Sequence, residues 1–380
     1  MRWDVFCRVV DNFGDIGVCW RLAADLAARG NTVRLWVDDP SALAWMAPDG
    51  AAGVTVIAWT DAIDLPAYGL GDVVIEAFGC ELPTVIQRAL AARARAGTAA
   101  VWINLEYLSA EPFTARAHGL PSPQLAGPAA GLTKWFFYPG FDERAGGLLR
   151  ERDLAARQAA FDAPAWLATH GITHRDGERL VSLFCYPSAP VAALIDALHA
   201  DAAPTVILAT AGAASALVRA ALGSALEQGN VRAVTLPYLT QRDFDHLLWC
   251  ADLNVVRGED SLVRALWAGR PFLWHIYPQA DDAHLRKLAA FDRLVIDAAR
   301  AAAADEQGAD EHGANGKVGA MYARASLRWN APDAGPANAP LALPDLTGWR
   351  AACERLRTQL LAQDDLATRL SEFIRQRRPG

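Results

Sequence analysis

The feature that most restricts how this chain can fold is a rhythm. Short, uninterrupted apolar runs alternate with longer amphipathic ones, and the whole pattern runs through twice. "WDVFCRVV" reads as a strand, "IGVCWRLAADLAARG" as a helix closed by Gly30, and "NTVRLWVDD" as the next strand. "GDVVIEAFG", "LPTVIQRALAARARAG" and "AAVWINLEYLS" continue as strand, helix and strand. Strands without polar alternation are apolar on both faces, which belongs to a parallel sheet covered by helices on either side. Along the first helix Val18, Leu22 and Leu26 form one stripe, and Arg21, Asp25 and Arg29 another.

From about residue 109 to 160 the rhythm fails. "SAEPFTARAHGLPSPQLAGPAAGLTKWFFYPGFDERAGG" is rich in Pro and Gly and is expected to be a connection. Its aromatic cluster Trp135, Phe136, Phe137 and Tyr138 is expected to pack at a domain junction. The alternation restarts at "RLVSLFCYP" and continues through "SAPVAALIDALHA", "PTVILAT", "ASALVRAALGSALEQG", "VRAVTLPYL", "QRDFDHLLWCA", "DLNVVRG", "EDSLVRALWAG" and "RPFLWHIYP". Residues 297–345, first Ala/Gly/Asp-rich and then Pro/Ala-rich, are expected as loops with partial disorder. The chain ends in a long amphipathic helix, broken near Gln363–Asp365. A length of 380 residues exceeds one ordinary core and fits two domains of roughly 150–200 residues each. The expected division is 1–155, 165–345, and a helical segment 346–380 packing back toward the first domain.

A formal net charge of −7 argues against a general nucleic-acid binder or a protein of anionic membrane surfaces. It suits a partner that presents cationic groups. Six cysteines are scattered through apolar runs without a CxxC pair, as expected of buried reduced thiols in a cytoplasmic protein. The start of the chain enters a strand directly, so no signal peptide is expected. No run of about 18 apolar residues occurs, so no membrane span is expected.

Ligands of open α/β sheets sit beyond the carboxyl ends of the strands. The loops of interest are therefore 11–17, 79–83, 104–111, 186–190, 210–214, 237–242, 257–261 and 277–283. In "DNFGD", Asp11 and Asp15 flank Phe13 and Gly14 between a strand and a helix, as turn and cap residues or as chemical groups. In "VVRGEDSLV" a strand ends at Arg257, Gly258 permits a tight turn, and a helix opens at Glu259, Asp260 and Ser261. Such a helix start holds phosphate through its amides and dipole. The plainer alternative is that Asp260 or Ser261 is an N-cap worth about 1 kcal/mol. Phe184, Tyr186, Tyr238 and Gln241 stand at strand ends where aromatics and an amide stack on and read a base, although core packing explains Phe184 equally well. There is no G-x-G-x-x-G, no P-loop, no G-x-S-x-G elbow and no metal-ligand spacing among the eight histidines.

"DNFGDIGVCWRLA", "INLEYLSAE", "LFCYP", "LPYLTQRDFD" and "RGEDSLVRALWAGRPFLWHIYPQADDAHLRKL" occur in that order between residue 3 and about 290. Together they resemble the bacterial protein-arginine rhamnosyltransferases that modify elongation factor P. The resemblance implies an α/β, GT-B glycosyltransferase fold: two Rossmann-like domains facing a central cleft, with a C-terminal helix. It implies inverting transfer of rhamnose from dTDP-β-L-rhamnose to an arginine of elongation factor P, with no metal and no cofactor. It places the acceptor-side acids on Asp11 and Asp15, the latter as general base. Phe184, Tyr186, Tyr238 and Gln241 fall around the thymidine, and Glu259, Asp260 and Ser261 at the diphosphate and sugar, with Glu259 grouped among the catalytic residues. Arg257, Gly258 and Gln279 lie in the same motifs, and Phe13 and Gly14 beside the acids. Against it stand a GT-B enzyme with a different acceptor, a non-catalytic sugar-nucleotide binder, and an NAD enzyme, the last disfavoured by the missing glycine fingerprint.

Overall fold

The structure is a computed structural model, and it describes residues 1–11, 13–60, 63, 69–279, 281–307, 314–333 and 340–378. The chain divides into two compact units, 1–154 with 363–380, and 155–362.

In the first unit, strands β1 (Arg2–Cys7), β2 (Thr32–Val37), β3 (Val54–Ala58), β4 (Val73–Ala77), β5 (Val101–Leu105), β6 (Pro121–Pro123) and β7 (Thr133–Phe137) form one sheet, ordered β3-β2-β1-β4-β5-β7-β6. Every pairing is parallel except β6–β7. Helices α1 (Gly14–Ala28), α2 (Leu43–Met46), α3 (Thr84–Arg95) and α4 (Phe113–Ala117) follow the strands. One face of the sheet packs Val5, Ile75 and Ile103 against Ile16, Leu22 and Leu26 of α1. The other packs Phe6, Val74 and Trp102 against Ile86 and Leu90 of α3. Both faces are covered, which is why these strands carry unbroken apolar runs.

The second unit holds α5 (Leu154–Ala159) from its second residue on, then α6 (Ala163–Thr169), β8 (Arg179–Leu183), α7 (Val191–Ala200), β9 (Thr205–Ala209), α8 (Ala213–Leu222), β10 (Glu227–Gln228) and β11 (Val231–Thr235). It continues with α9 (Gln241–Cys250), β12 (Leu253–Arg257), α10 (Gly258–Ala268), β13 (Phe272–His275), α11 (Ala283–Gln307), α12 (Ala314–Asn330) and α13 (Leu346–Leu361). Its sheet runs β10-β11-β9-β8-β12-β13, parallel but for β10.

Several expectations change. The stretch 297–345 is helical where α11 and α12 cover it, with Ala298, Ala299, Tyr322 and Trp329 buried; 308–313 and 334–339 lie outside the described residues. Low-complexity alanine reads as loop, yet alanine is the best helix former once packing holds the helix in place. Trp135 to Phe137 belong to β7, inside the first sheet. The C-terminal segment is two helices, α13 in the second unit and α14 (Leu366–Arg375) in the first. Leu370, Phe373 and Ile374 of α14 join the core beside α1. There the polar stripe of α1 is buried too: Arg29 bonds Asp25 and Asp365 at 2.8 and 2.7 Å, and Arg21 approaches Glu151 at 3.4 Å. Among the described residues no helix is long and apolar enough to cross a membrane.

Candidate active site

Strand order reverses between β1 and β4 in the first sheet and between β8 and β12 in the second. At a reversal, neighbouring strands send their loops to opposite faces and leave a crevice at the carboxyl edge, where open α/β sheets bind ligands. The turns after β1 and β12 are the two that carry the acidic motifs.

Asp15 stands in the first turn of α1, 3% exposed. Its Oδ2 accepts the amides of Val10 at 2.8 Å and Asp11 at 2.9 Å, tying the turn back onto the helix. The N-cap position is Phe13, whose side chain makes no cap bond, so neither aspartate occupies the N-cap position of α1. Gly14 donates its amide to the Asp11 carbonyl at 2.6 Å, and a methyl group on Gly14 would stand 2.7 Å from Asp11 Oδ2. Phe13 meets Trp45 edge-on, with ring centroids 5.1 Å apart. Beneath them the Cys7 thiol is pushed well up by its hydrogen bond with Cys19, by burial, and by the nearby Asp15 and Asp38. All six cysteines are unbridged.

In the second unit the Arg257 guanidinium lies between two rings, 4.6 Å from the centroid of Phe184 and 4.5 Å from that of Tyr186. Guanidinium–aromatic contacts of this kind are worth about 0.5–2 kcal/mol each, more where water is excluded. Phe184 rests edge-on against Phe244 of α9, and Tyr186 against His275 and Tyr277. The Tyr186 amide donates to His275 Nδ1 at 3.3 Å. Burial first, then Arg257, brings the His275 imidazole down to about 4, so it stays neutral as that bond requires.

Gly258 adopts φ +66° where β12 turns into α10, a left-handed conformation that glycine takes without strain. The N-cap is Arg257, again without a side-chain cap, so the capping alternative for Asp260 and Ser261 is overturned. Ser261 faces inward, and its hydroxyl donates to the Arg257 carbonyl. Its single proton is thereby used within the turn. Glu259 Oε1 receives Lys287 Nζ at 2.5 Å. Tyr238 is 55% exposed on the loop after β11, and Gln241 opens α9 behind the N-cap Thr240. The exposed Gln279 donates its amide to His284 Nδ1 at 3.1 Å.

The structure thus places every singled-out residue at a carboxyl edge, and it joins Phe184, Tyr186 and Arg257 in one stack. Sequence reasoning passed over Phe244, His275, Tyr277 and Lys287. All four lie inside quoted motifs, but their partners come from other strands and helices. Among the described residues no three His, Cys, Asp or Glu side chains group as a metal site.

The sequence profile described as "Elongation-Factor P (EF-P) rhamnosyltransferase EarP" matches residues 3–375. The chain belongs to this family. A Pseudomonas aeruginosa protein-arginine rhamnosyltransferase is 41% identical over 392 aligned positions, covering 98% of either chain. A solved structure described as the structural basis for EarP-mediated arginine glycosylation of translation elongation factor EF-P is 30% identical, with TM-score 0.60 over 99% of both chains. The spinosyn rhamnosyltransferase SpnG, 16% identical, shares the fold with TM-score 0.51 over 98% of this chain and 99% of its own. This EarP-family chain is therefore a glycosyltransferase of the GT-B fold, in the protein-arginine rhamnosyltransferase class.

Proposed function

We propose that this enzyme transfers rhamnose from dTDP-β-L-rhamnose to an arginine side chain of elongation factor P, with inversion and without a metal ion, in the cytoplasm. The observation that carries the donor half is the start of α10: a helix terminus with no side-chain cap, at the strand-order reversal, beside a guanidinium held between two rings. A developing diphosphate charge is stabilised there by helix amides, dipole and Arg257, which supply what a divalent ion would otherwise bring. Tyr238 is the exposed ring positioned to stack on thymine, with Gln241 at its edge, while Phe184 and Tyr186 act by holding Arg257. The acceptor half is supported by the family and by the EF-P acceptor of the related solved structure.

Arginine is a poor nucleophile because its guanidinium is protonated and delocalised. An aspartate deprotonating it outright would face a gap of about 8–9 pKa units, on the order of 11 kcal/mol. The proton therefore leaves late, together with C–N bond formation, when the attacking nitrogen has become far more acidic. Asp15 accepts it, with Asp11 orienting the guanidinium. Glu259, fixed by Lys287, and Asp260 serve the sugar hydroxyls. One in-line displacement gives inversion.

Asp15→Asn keeps an oxygen for the Val10 and Asp11 amides but removes the base. The expected result is loss of the rhamnosyl mass increment on the factor, with dTDP still raising the melting temperature. Near-normal turnover would sink the assignment. A thermal-shift comparison of dTDP, UDP, GDP and NAD checks the donor, and undiminished turnover in EDTA checks metal independence.

A further inference from the structure

On the face of the first sheet opposite α1, at its carboxyl edge, lies a cavity of about 840 Å³. Glu76, Phe78, Glu81, Tyr107 and Lys134 line it, and Val10 brings its rim to the β1–α1 turn. Two of these residues hold backbone conformations that L side chains rarely adopt, Phe78 with φ +56° and Glu81 with φ +51°. Each costs about 1–2 kcal/mol, and such strain concentrates at ligand sites. Here it lays the Phe78 ring on that of Tyr107, centroids 4.6 Å apart and planes 16° from parallel. Tyr107 remains 40% exposed.

One of the polar groups behind this platform is unsatisfied among the described residues. Glu76, 2% exposed, is already committed: it pairs with Lys134 at 3.1 Å and accepts the Glu81 amide at 3.1 Å. Strand register sets Asn104 beside Glu76, and alternation along β5 puts it on the same face as Trp102, another cavity residue. Asn104 is 4% exposed; its Nδ2 donates to Glu106 Oε1 at 2.6 Å, and its Oδ1 has no hydrogen-bond partner among the described residues. A buried acceptor left unpaired costs about 1–3 kcal/mol. Burial also pushes the Glu106 carboxyl up, against the pull of Asn104 and Lys134. Arg8 and Lys134 balance Glu76 and Glu81 in the lining, so the acceptor left over is the buried Asn104 oxygen behind it, and an unpaired acceptor beside an exposed aromatic face fits a cation that donates several hydrogen bonds.

We propose that this cavity is a subsite for a second cationic side chain, Lys or Arg, of the protein acceptor. The inference rests on the proposed function, and specifies how the acceptor is chosen. Neither Asp11 nor Asp15 lines the cavity, so a side chain filling it is not the one that meets Asp15. The arginine to be modified would be selected by what stands near it in the acceptor as well as by its own guanidinium.

The test uses the full-length enzyme, intact elongation factor P and dTDP-β-L-rhamnose. Tyr107→Leu and Glu106→Gln are each expected to raise KM for the factor about three- to fivefold, leaving donor KM and kcat within about twofold. Neutralising the factor's other Lys and Arg residues one at a time should find one whose loss is equal and is not compounded in the Tyr107→Leu enzyme. Unchanged acceptor KM in both variants overturns the proposal, as do losses that multiply independently for every acceptor cation. If the unaltered enzyme leaves the factor unmodified, the proposed function itself falls and takes the subsite with it. Tyr107 is exposed enough that its variant folds.

Discussion

Asp245→Asn tests how the second unit holds its two helix starts in place. Asp245 and Arg264 are each 1% exposed and joined by two bonds of 2.8 and 2.7 Å, with Arg157 a third partner at 3.4 Å. The pair ties α9 to α10, whose first turns carry Gln241 and Gly258 to Ser261. Charges this deep carry a desolvation cost of several kcal/mol per ion, offset only by good geometry. Neutralising Asp245 leaves a buried guanidinium without its counter-charge, an expected loss of about 3–5 kcal/mol. Arg157 leaves a second cation nearby, which places the loss in the upper half of that range. The double variant Asp245→Leu with Arg264→Met removes both charges at similar volume and should fall within about 2 kcal/mol of the unaltered protein. Urea unfolding followed by tryptophan fluorescence measures both. In Asp245→Asn the two helix starts lose their tie, so dTDP should also bind more weakly. A single variant costing under about 1 kcal/mol, or a double variant costing more than the single, would refute the reasoning.

Three further outcomes are expected. The His275 imidazole, lowered to about 4 in the fold against about 6.5 unfolded, stabilises the second unit fully above pH 6.5. That stability falls by about 3 kcal/mol as the pH drops from 6.5 to 4, and His275→Gln should flatten this part of a melting-temperature profile. Gly14→Ala pushes the Asp11 carboxylate aside from 2.7 Å, and should reduce kcat by ~10- to 100-fold with little change in melting temperature. Tyr238→Ala should weaken dTDP binding, read by calorimetry, by about 1–3 kcal/mol of stacking while leaving stability untouched, because the ring is largely exposed.

Both sheets were legible because a strand's periodicity is local: each apolar run states by itself that two faces are buried. Where the local signal was weak, elements escaped. β3 was not picked out, since its residues are only half-buried or exposed. β6, with Pro121 and Pro123, is an edge strand of three residues that proline composition disguises as loop. The stripe of Arg21, Asp25 and Arg29 shows the opposite limit. Its spacing was plain, but its burial depends on Asp365, more than three hundred residues along the chain.

By itself the sequence determined the fold class, the family, and the loops at which the candidate site residues are concentrated, because these follow from periodicity and from motifs contiguous in the chain. Tertiary structure alone decided how those residues are employed. Whether Asp15 caps a helix or ties a turn, whether Phe184 is core or half of a clamp on Arg257, and whether α10 starts with a cap depend on φ/ψ at a few positions and on partners from distant strands. The same holds for the unpaired oxygen of Asn104. A motif states which groups are present, and only packing states which of their hydrogen bonds and charges are already spoken for.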